Sequence, residues 1–219
     1  MQRILDIVFS GVGMLFLSPL LLPIACLLKA TGEGDVFYIQ TRVGKNGSPF
    51  GLLKFVTMLR DSPNIGSGEI TISNDPRVLP MGKFLRKSKI NELPQLWNIL
   101  IGDMSVVGPR PMVPNTYANY PAAAQEILNT VRPGLTGIGS IIFRNEERLL
   151  DGREDPIGFY NENITPFKSE LEIWFVQNNS FWLYIKAIFV TAWVVVFPTS
   201  KIAGSVFSGI PRLPESLKI

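Results

Sequence analysis

From Ile4 to Ala30 the chain is apolar except for Asp6 and Lys29, and this run restricts the fold more than any other feature. As a helix it is long enough to cross the roughly 30 Å hydrocarbon core of a bilayer. With 219 residues in all, there is room beside it for one compact domain with a modest core. Cys26-Leu27-Leu28-Lys29-Ala30 offers no small-x-small cleavage site, which argues against a signal peptide. Ser18-Pro19 interrupts the middle of the run. Proline deletes one backbone hydrogen bond and its ring presses on the carbonyl four residues back, while the serine hydroxyl can take up the freed carbonyl. Pro23 repeats the interruption one turn later. Basic residues flank both ends, Arg3 before and Lys29, Arg42 and Lys45 after, so no charge excess orients a spanning helix. Two geometries are open from these residues: a span, and a re-entrant hairpin that leaves by the leaflet it entered.

The chemistry available is narrow. The chain has no histidine and one cysteine, Cys26, which excludes imidazole bases, Ser-His-Asp triads, cysteine zinc sites and an internal disulfide. Catalysis must rest on carboxylates, amides, hydroxyls, lysines and arginines. A net charge of +3 is too mild to indicate nucleic acid, so the basic residues matter by where they sit.

Beyond Thr31-Gly32 the pattern is that of a soluble domain. Asp35 to Gln40 reads as a strand, Gly44-Lys45-Asn46-Gly47 as a turn and Pro49 to Met58 as the return strand. Residues 61 to 74 read as a polar surface loop, and Asn74-Asp75-Pro76-Arg77 as a turn. Lys83 to Lys89 is a basic run holding Phe84 and Leu85, suited to a wet helix face or to anionic headgroups. Pro94 belongs in a first helical turn, so a helix is expected to begin near Asn91. Leu93, Leu96, Trp97 and Leu100 then form one buried stripe. Asn91 would be the N-cap, and Glu92 would lie at the positive end of the dipole. Capping accounts for the pair; so does an anion site, with Arg86, Lys87 and Lys89 nearby and a divalent cation joining Glu92 to a phosphate. Arg110, between Pro109 and Pro111, presents a planar fork suited to a diphosphate, and Arg132 is read as serving its own loop. Further on, 156 to 166 reads as a loop near a nucleotide and Ser169 to Gln177 as a helix. Residues 187 to 197, too short to span, read as an interfacial helix ended by Pro198. The tail reads as irregular, with an oligomer contact as one use.

A series of motifs running through most of the chain resembles the bacterial sugar transferase family, the monotopic phosphoglycosyl transferases. It comprises Leu5-Asp6-Ile7, Ser18-Pro19, Arg42-Val43-Gly44, Lys54-Phe55, Asn74 to Arg77, Leu85-Arg86-Lys87, Glu92 to Leu96, Gly102-Asp103-Met104-Ser105, Gly108 to Pro111 and Arg132 to Gly137. The resemblance implies an α+β fold: a re-entrant membrane anchor over 1–31 broken at Ser18 and Pro19, a catalytic domain over 32–198 with a small β-hairpin and interfacial helices, and a tail over 199–219. It implies transfer of a phospho-sugar from a UDP-sugar to polyprenyl phosphate, with Mg2+, on the cytoplasmic face of the bacterial inner membrane, as the first membrane step of glycan assembly. Lys54, Arg86, Arg110 and Arg144, the last aligning with a Gly-Arg-Asn motif as Arg144-Asn145, are implied to bind phosphate or nucleotide. In the family an Asp-Glu pair is catalytic, the aspartate attacking phosphorus.

The chain departs from that pattern where Asn91 replaces the aspartate, and again where Val56 replaces an arginine. Four readings follow. Glu92 acts as nucleophile; Glu92 positions magnesium while polyprenyl phosphate attacks directly; the protein is a non-catalytic homologue that binds nucleotide sugar or partners an active enzyme; or the Asn is an exchange made to trap substrate, which leaves Val56 unexplained.

Overall fold

The computed structural model describes residues 1–65, 75–144, 146–197, 200 and 202–217. Asn74, Asn145 and Pro198, and most of the loop expected over 61 to 74, lie outside the described residues. A long helix, α1 (Gln2–Ala30), lies against a small mixed domain. The domain opens with an antiparallel hairpin of β1 (Phe37–Val43) and β2 (Pro49–Phe55), close to the predicted strands and paired from Phe37 opposite Phe55 to Val43 opposite Pro49. Helices α2 (Pro80–Lys87) and α3 (Gln95–Ile101) follow, joined by a 3-10 turn at Ile90–Glu92. A second sheet, which the sequence did not suggest, pairs β3 (Ser105–Val107) in parallel with β4 (Gly134–Thr136). Between them run α4 (Pro114–Ala118) and α5 (Ala122–Leu128). Helices α6 (Ile138–Ile142), α7 (Glu147–Leu150), α8 (Pro156–Phe159), α9 (Thr165–Gln177), α10 (Phe181–Val196) and α11 (Ile202–Val206) complete the chain.

Helix α1 continues through both prolines, so the break expected at Ser18 and Pro19 does not divide it. Pro19 has no N–H to offer Leu15, and the Ser18 hydroxyl donates to that carbonyl instead at 2.8 Å, so the polar group opened by the proline is closed by its neighbour. Both ends of α1 dock on the same domain. Near its start, Arg3 donates to the carbonyls of Ile99 and Leu100 at 2.5 and 2.8 Å, satisfying the C-terminal turn of α3. Asp6 is buried, and its Oδ1 accepts from the Ser105 hydroxyl, the Val106 N–H and the Tyr184 hydroxyl at 2.9, 2.8 and 2.8 Å. Met14 and Leu17 pack on the cluster of Leu52, Leu96, Ile99 and Met104, and near the other end Leu28 joins Phe55 and Leu85. The opposite face is bare, with Phe16 79% exposed.

The largest core is built by the second half of the chain, where Ile138, Phe167, Leu171, Phe175, Tyr184, Ala187 and Val190 meet. Helix α10 turns Leu183, Tyr184, Ala187, Val190 and Val194 into this core, while Trp182, at 70%, Phe189, Trp193 and Val196 remain exposed. It starts six residues earlier than the expected interfacial helix and is core on one side, apolar and open on the other.

Several expectations are corrected. The helical backbone expected to begin near Asn91 opens as the 3-10 turn at Ile90–Glu92 and becomes α-helical only at Gln95, and the Asn91 side-chain oxygen makes no cap bond. The buried stripe of α3 is Gln95, Leu96, Asn98 and Ile99. Trp97 is 48% exposed, because the helix is short and Asn98 turns inward, where its amide accepts from Leu53 N–H and donates to Gly51 carbonyl across β2. The expected loop over 156 to 166 is helical: α8 passes through a π-helical turn at Tyr160–Ile164 into α9, with Asp155 capping the Gly158 N–H at 2.9 Å. The tail is not irregular throughout either, since Phe207 and Leu217 are buried in the main core.

Candidate active site

Three segments converge: β2, the Ile90–Glu92 turn and the loop Gly108 to Pro111. The loop is held by the segment Arg132 to Gly137. Gly108 N–H donates to the Thr136 carbonyl at 2.9 Å and Gly134 N–H to the Pro109 carbonyl at 2.8 Å. A Cβ on Gly108 would stand 2.5 Å from the Arg132 carbonyl oxygen, and one on Gly134 2.1 Å from Gly108 N, so glycine is required for this backbone approach. Arg132 itself donates to the Gly102 carbonyl at 2.7 Å, the loop-serving role expected of it. Arg42, from β1, donates to the Pro111 carbonyl at 2.9 Å and steadies the other end. On the far side, Lys89 adopts a left-handed conformation, φ 62°, and turns the chain from α2 into the Ile90–Glu92 turn.

The side chains so gathered form a cationic cradle around one carboxylate. Glu92, its side chain 16% exposed, lies 3.7 Å from the Arg110 guanidinium, which is 40% exposed. Burial pushes the Glu92 carboxyl up, but Arg110, Lys89, Lys54 and Arg86 together outweigh it and hold the group below the usual carboxylate range, so Glu92 is ionised at neutral pH. Lys54 is pushed down to about 7 by burial first and then by Arg42, with Glu92 opposing and Arg110 and Arg86 adding. Burial likewise lowers Lys89 and Arg144, each partly offset by Glu92. A small depression between Arg42, Lys54, Gln95 and Arg110 opens here. The cations exceed the single carboxylate, and burial with the neighbouring arginines makes Lys54 lose its charge readily. Such an arrangement is suited to a multiply charged anion.

The structure therefore brings Glu92, Lys54, Arg86, Arg110 and Arg144 into one electrostatic neighbourhood. Asn91 adjoins them, buried, with Oδ1 lacking any hydrogen-bond partner. That orphaned oxygen removes the capping explanation. Ser18 and Pro19 stand apart, within α1. Among the described residues no three Asp, Glu, Cys or His side chains group as a metal site. Magnesium is nonetheless commonly held by one or two protein oxygens plus substrate phosphates. The Glu92 carboxylate and the unpartnered Asn91 Oδ1 fit that requirement.

Behind Arg110 lies a polar layer that sequence reasoning did not assign to the site. Glu172, 3% exposed on α9, accepts the Arg110 backbone N–H at 3.2 Å. Lys168, one turn earlier, pairs with Glu146 and donates to the Tyr160 hydroxyl at 3.1 Å. Burial lowers the Arg110 guanidinium's affinity for its proton, yet Glu92, Glu146, Tyr160 and Glu172 raise it more. A lysine and a glutamate one turn apart on the buried side of a helix were the available signal. Asp75 and Arg77 are by contrast structural: a buried pair, Nε to Oδ1 2.8 Å, whose guanidinium also donates to the Ser62 and Ile65 carbonyls.

The profile of the family described as bacterial sugar transferase matches residues 1–198. The chain belongs to the bacterial sugar transferase family. Among its curated relatives is the UDP-glucose:undecaprenyl-phosphate glucose-1-phosphate transferase of Klebsiella pneumoniae, 34% identical over 195 residues, covering 87% of this chain and 39% of that protein. The exopolysaccharide production protein ExoY of Rhizobium meliloti (strain 1021) is 41% identical over 159 residues, covering 66% of this chain and 70% of ExoY. The galactosyl transferase CpsE of Streptococcus agalactiae serotype III (strain NEM316) is 32% identical over 210 residues, covering 90% and 42%. The chain thus spans about two fifths of the Klebsiella and Streptococcus proteins and most of ExoY.

Proposed function

We propose that this protein transfers a phospho-sugar from a UDP-sugar to polyprenyl phosphate, releasing UMP, as an early membrane step of bacterial glycan assembly. The observation that carries the reading is the cradle: one ionised carboxylate ringed by Lys54, Arg86, Lys89, Arg110 and Arg144 on a domain that carries a long apolar helix. In the transfer an oxygen nucleophile attacks the phosphorus bearing the sugar, and the bond from that phosphorus to the UMP oxygen breaks. Arg110 and Lys54 would bind the diphosphate and stabilise charge developing on the leaving phosphate. Asn91 has no carboxylate with which to attack, so a covalent phosphoglycosyl intermediate would form on the adjacent Glu92; otherwise the polyprenyl phosphate oxygen attacks directly. Magnesium, held through Glu92 and Asn91 Oδ1, would supply positive charge to the phosphates.

The docking of both ends of α1 on one domain, through Arg3 and Asp6 at one end and Leu28 at the other, supports a monotopic anchor whose two ends stay on the domain's side of the bilayer. A helix that crossed the bilayer would carry one of these ends to the far side of the membrane from the domain that binds it. Both basic flanks then lie on the cytoplasmic side, with the cradle.

The test is UMP release from a panel of UDP-sugars by the full chain in lipid with polyprenyl phosphate, with and without magnesium, alongside intact-mass measurement of the protein. Release is expected, and a phospho-sugar adduct absent from Glu92→Gln would assign the covalent route to Glu92. Nucleotide binding without release from any donor, with release restored by Asn91→Asp, would establish instead the non-catalytic homologue.

A further inference from the structure

The Glu172 carboxyl is buried in a place shaped for it. Its Oε1 accepts the Arg110 N–H at 3.2 Å, and its Oε2 is buried with no hydrogen-bond partner. Helix α6 approaches through Gly139, where a Cβ would stand 2.4 Å from Glu172 Oε1. The charged and titratable groups facing it are Arg110, Lys168 on its own helix and Tyr120 before α5. Glu146 and Tyr160 are engaged by Lys168; α6 carries no titratable group, and Glu126 of α5 and Glu162 of the π turn are exposed.

We infer that Glu172 is a positioning residue for the phosphate cradle: its carboxyl fixes the Arg110 backbone, and only in its neutral form does it leave the Arg110 guanidinium fully available to an anionic ligand. This rests on the reading of the cradle as the diphosphate site. An ionised Glu172 places a second negative charge beside Arg110, where it competes with the ligand. Burial pushes the Glu172 carboxyl up to about 7, against the opposing pull of the Arg110 N–H, Lys168 and the Arg110 guanidinium, so both forms are populated near neutrality. A bound diphosphate disfavours the ionised form further, so binding takes up a proton at Glu172. Lys54, also near 7, takes up a second, and the two are separated by substitution.

The experiment uses the full chain in lipid, with UDP as the probe. Calorimetry at pH 7.5 in two buffers of different ionisation enthalpy gives proton uptake, and Kd is followed from pH 6 to 8. Glu172→Gln is expected to bind UDP as wild type does at pH 6, roughly three- to tenfold more tightly than wild type at pH 8, and with reduced proton uptake; Lys54→Arg retains the Glu172 share. Gly139→Ala, which displaces the carboxyl without removing it, is expected to weaken binding throughout. If wild type binds UDP but Glu172→Gln keeps the same pH slope and uptake, or Gly139→Ala binds normally, the inference is overturned. Failure of the wild type to bind UDP would overturn the diphosphate site itself, and this inference with it. Binding without turnover would count against the proposed reaction alone.

Discussion

At residue 92 the decisive quantity is charge. A buried carboxylate is ordinarily costly, and here four cations more than compensate, so Glu92 stays ionised. Glu92→Gln is expected to lower UMP release by about a hundredfold or more while leaving the fold intact, because the isostere fills the same space; a steady-state assay with a melting curve on the same preparation checks both. Arg110→Lys retains charge but loses the planar fork. Its expected effect is a rise in KM for the nucleotide sugar on the order of 10- to 100-fold, measured by initial rates.

Among the elements, α1 depends on two polar residues within an apolar helix. The three bonds received by Asp6 tie α1 to β3 and α10, and β3 leads directly into the Gly108 to Pro111 loop. Asp6→Ala leaves two donors and a backbone N–H without that acceptor, and is expected to cost about 2–4 kcal/mol, read as a lower melting temperature in detergent. Ser18→Ala opens the Leu15 carbonyl and is expected to cost about 1–2 kcal/mol. Gly82, on α2, has no room for a side chain, since a Cβ would stand 2.1 Å from the Thr57 carbonyl oxygen. Gly82→Ala should therefore displace α2, and with it Arg86.

For the whole molecule, two titratable groups, the buried Glu172 and the half-buried Lys54, shape stability against pH in opposite directions. The folded-state value of Glu172 lies near 7, above its ordinary 4.5, so between those values the folded chain holds a proton that the unfolded chain has released, and this contribution falls as pH rises. Lys54 lies near 7, below its ordinary 10.5, so from 7 to 10.5 the unfolded chain holds the extra proton and the contribution rises with pH. Together they give a minimum near pH 7. Thermal melts across pH 5 to 10 should lose the falling limb in Glu172→Gln and the rising limb in Lys54→Met. The exposed apolar face of α1 continues the same logic outside the core: with Trp182, Phe189 and Trp193 open on α10, a triple change of these to Ser is expected to weaken vesicle association in flotation without unfolding the domain.

The sequence by itself determined the apolar helix, the hairpin, the cations of the cradle and the family, because periodicity, turn chemistry and ordered motifs are local properties of the chain. It also supplied the role of Ser18, since the hydroxyl and the carbonyl freed by Pro19 lie within one turn. Asn91 was different: its residue type and the nearby Pro94 predict a cap, and only tertiary packing moved the helix start to Gln95 and left the amide oxygen without a partner. Trp97, the parallel pairing of β3 with β4, and the burial of Phe207 and Leu217 depended likewise on contacts distant in sequence. Glu172 is the clearest case. As one acidic residue among others on a helix it is unremarkable; its function follows from Gly139, which lets α6 close over it, and from the N–H of Arg110, 62 residues away. Burial and counter-charge belong to the assembled fold, and they hold Glu92 ionised while raising Glu172 to about 7.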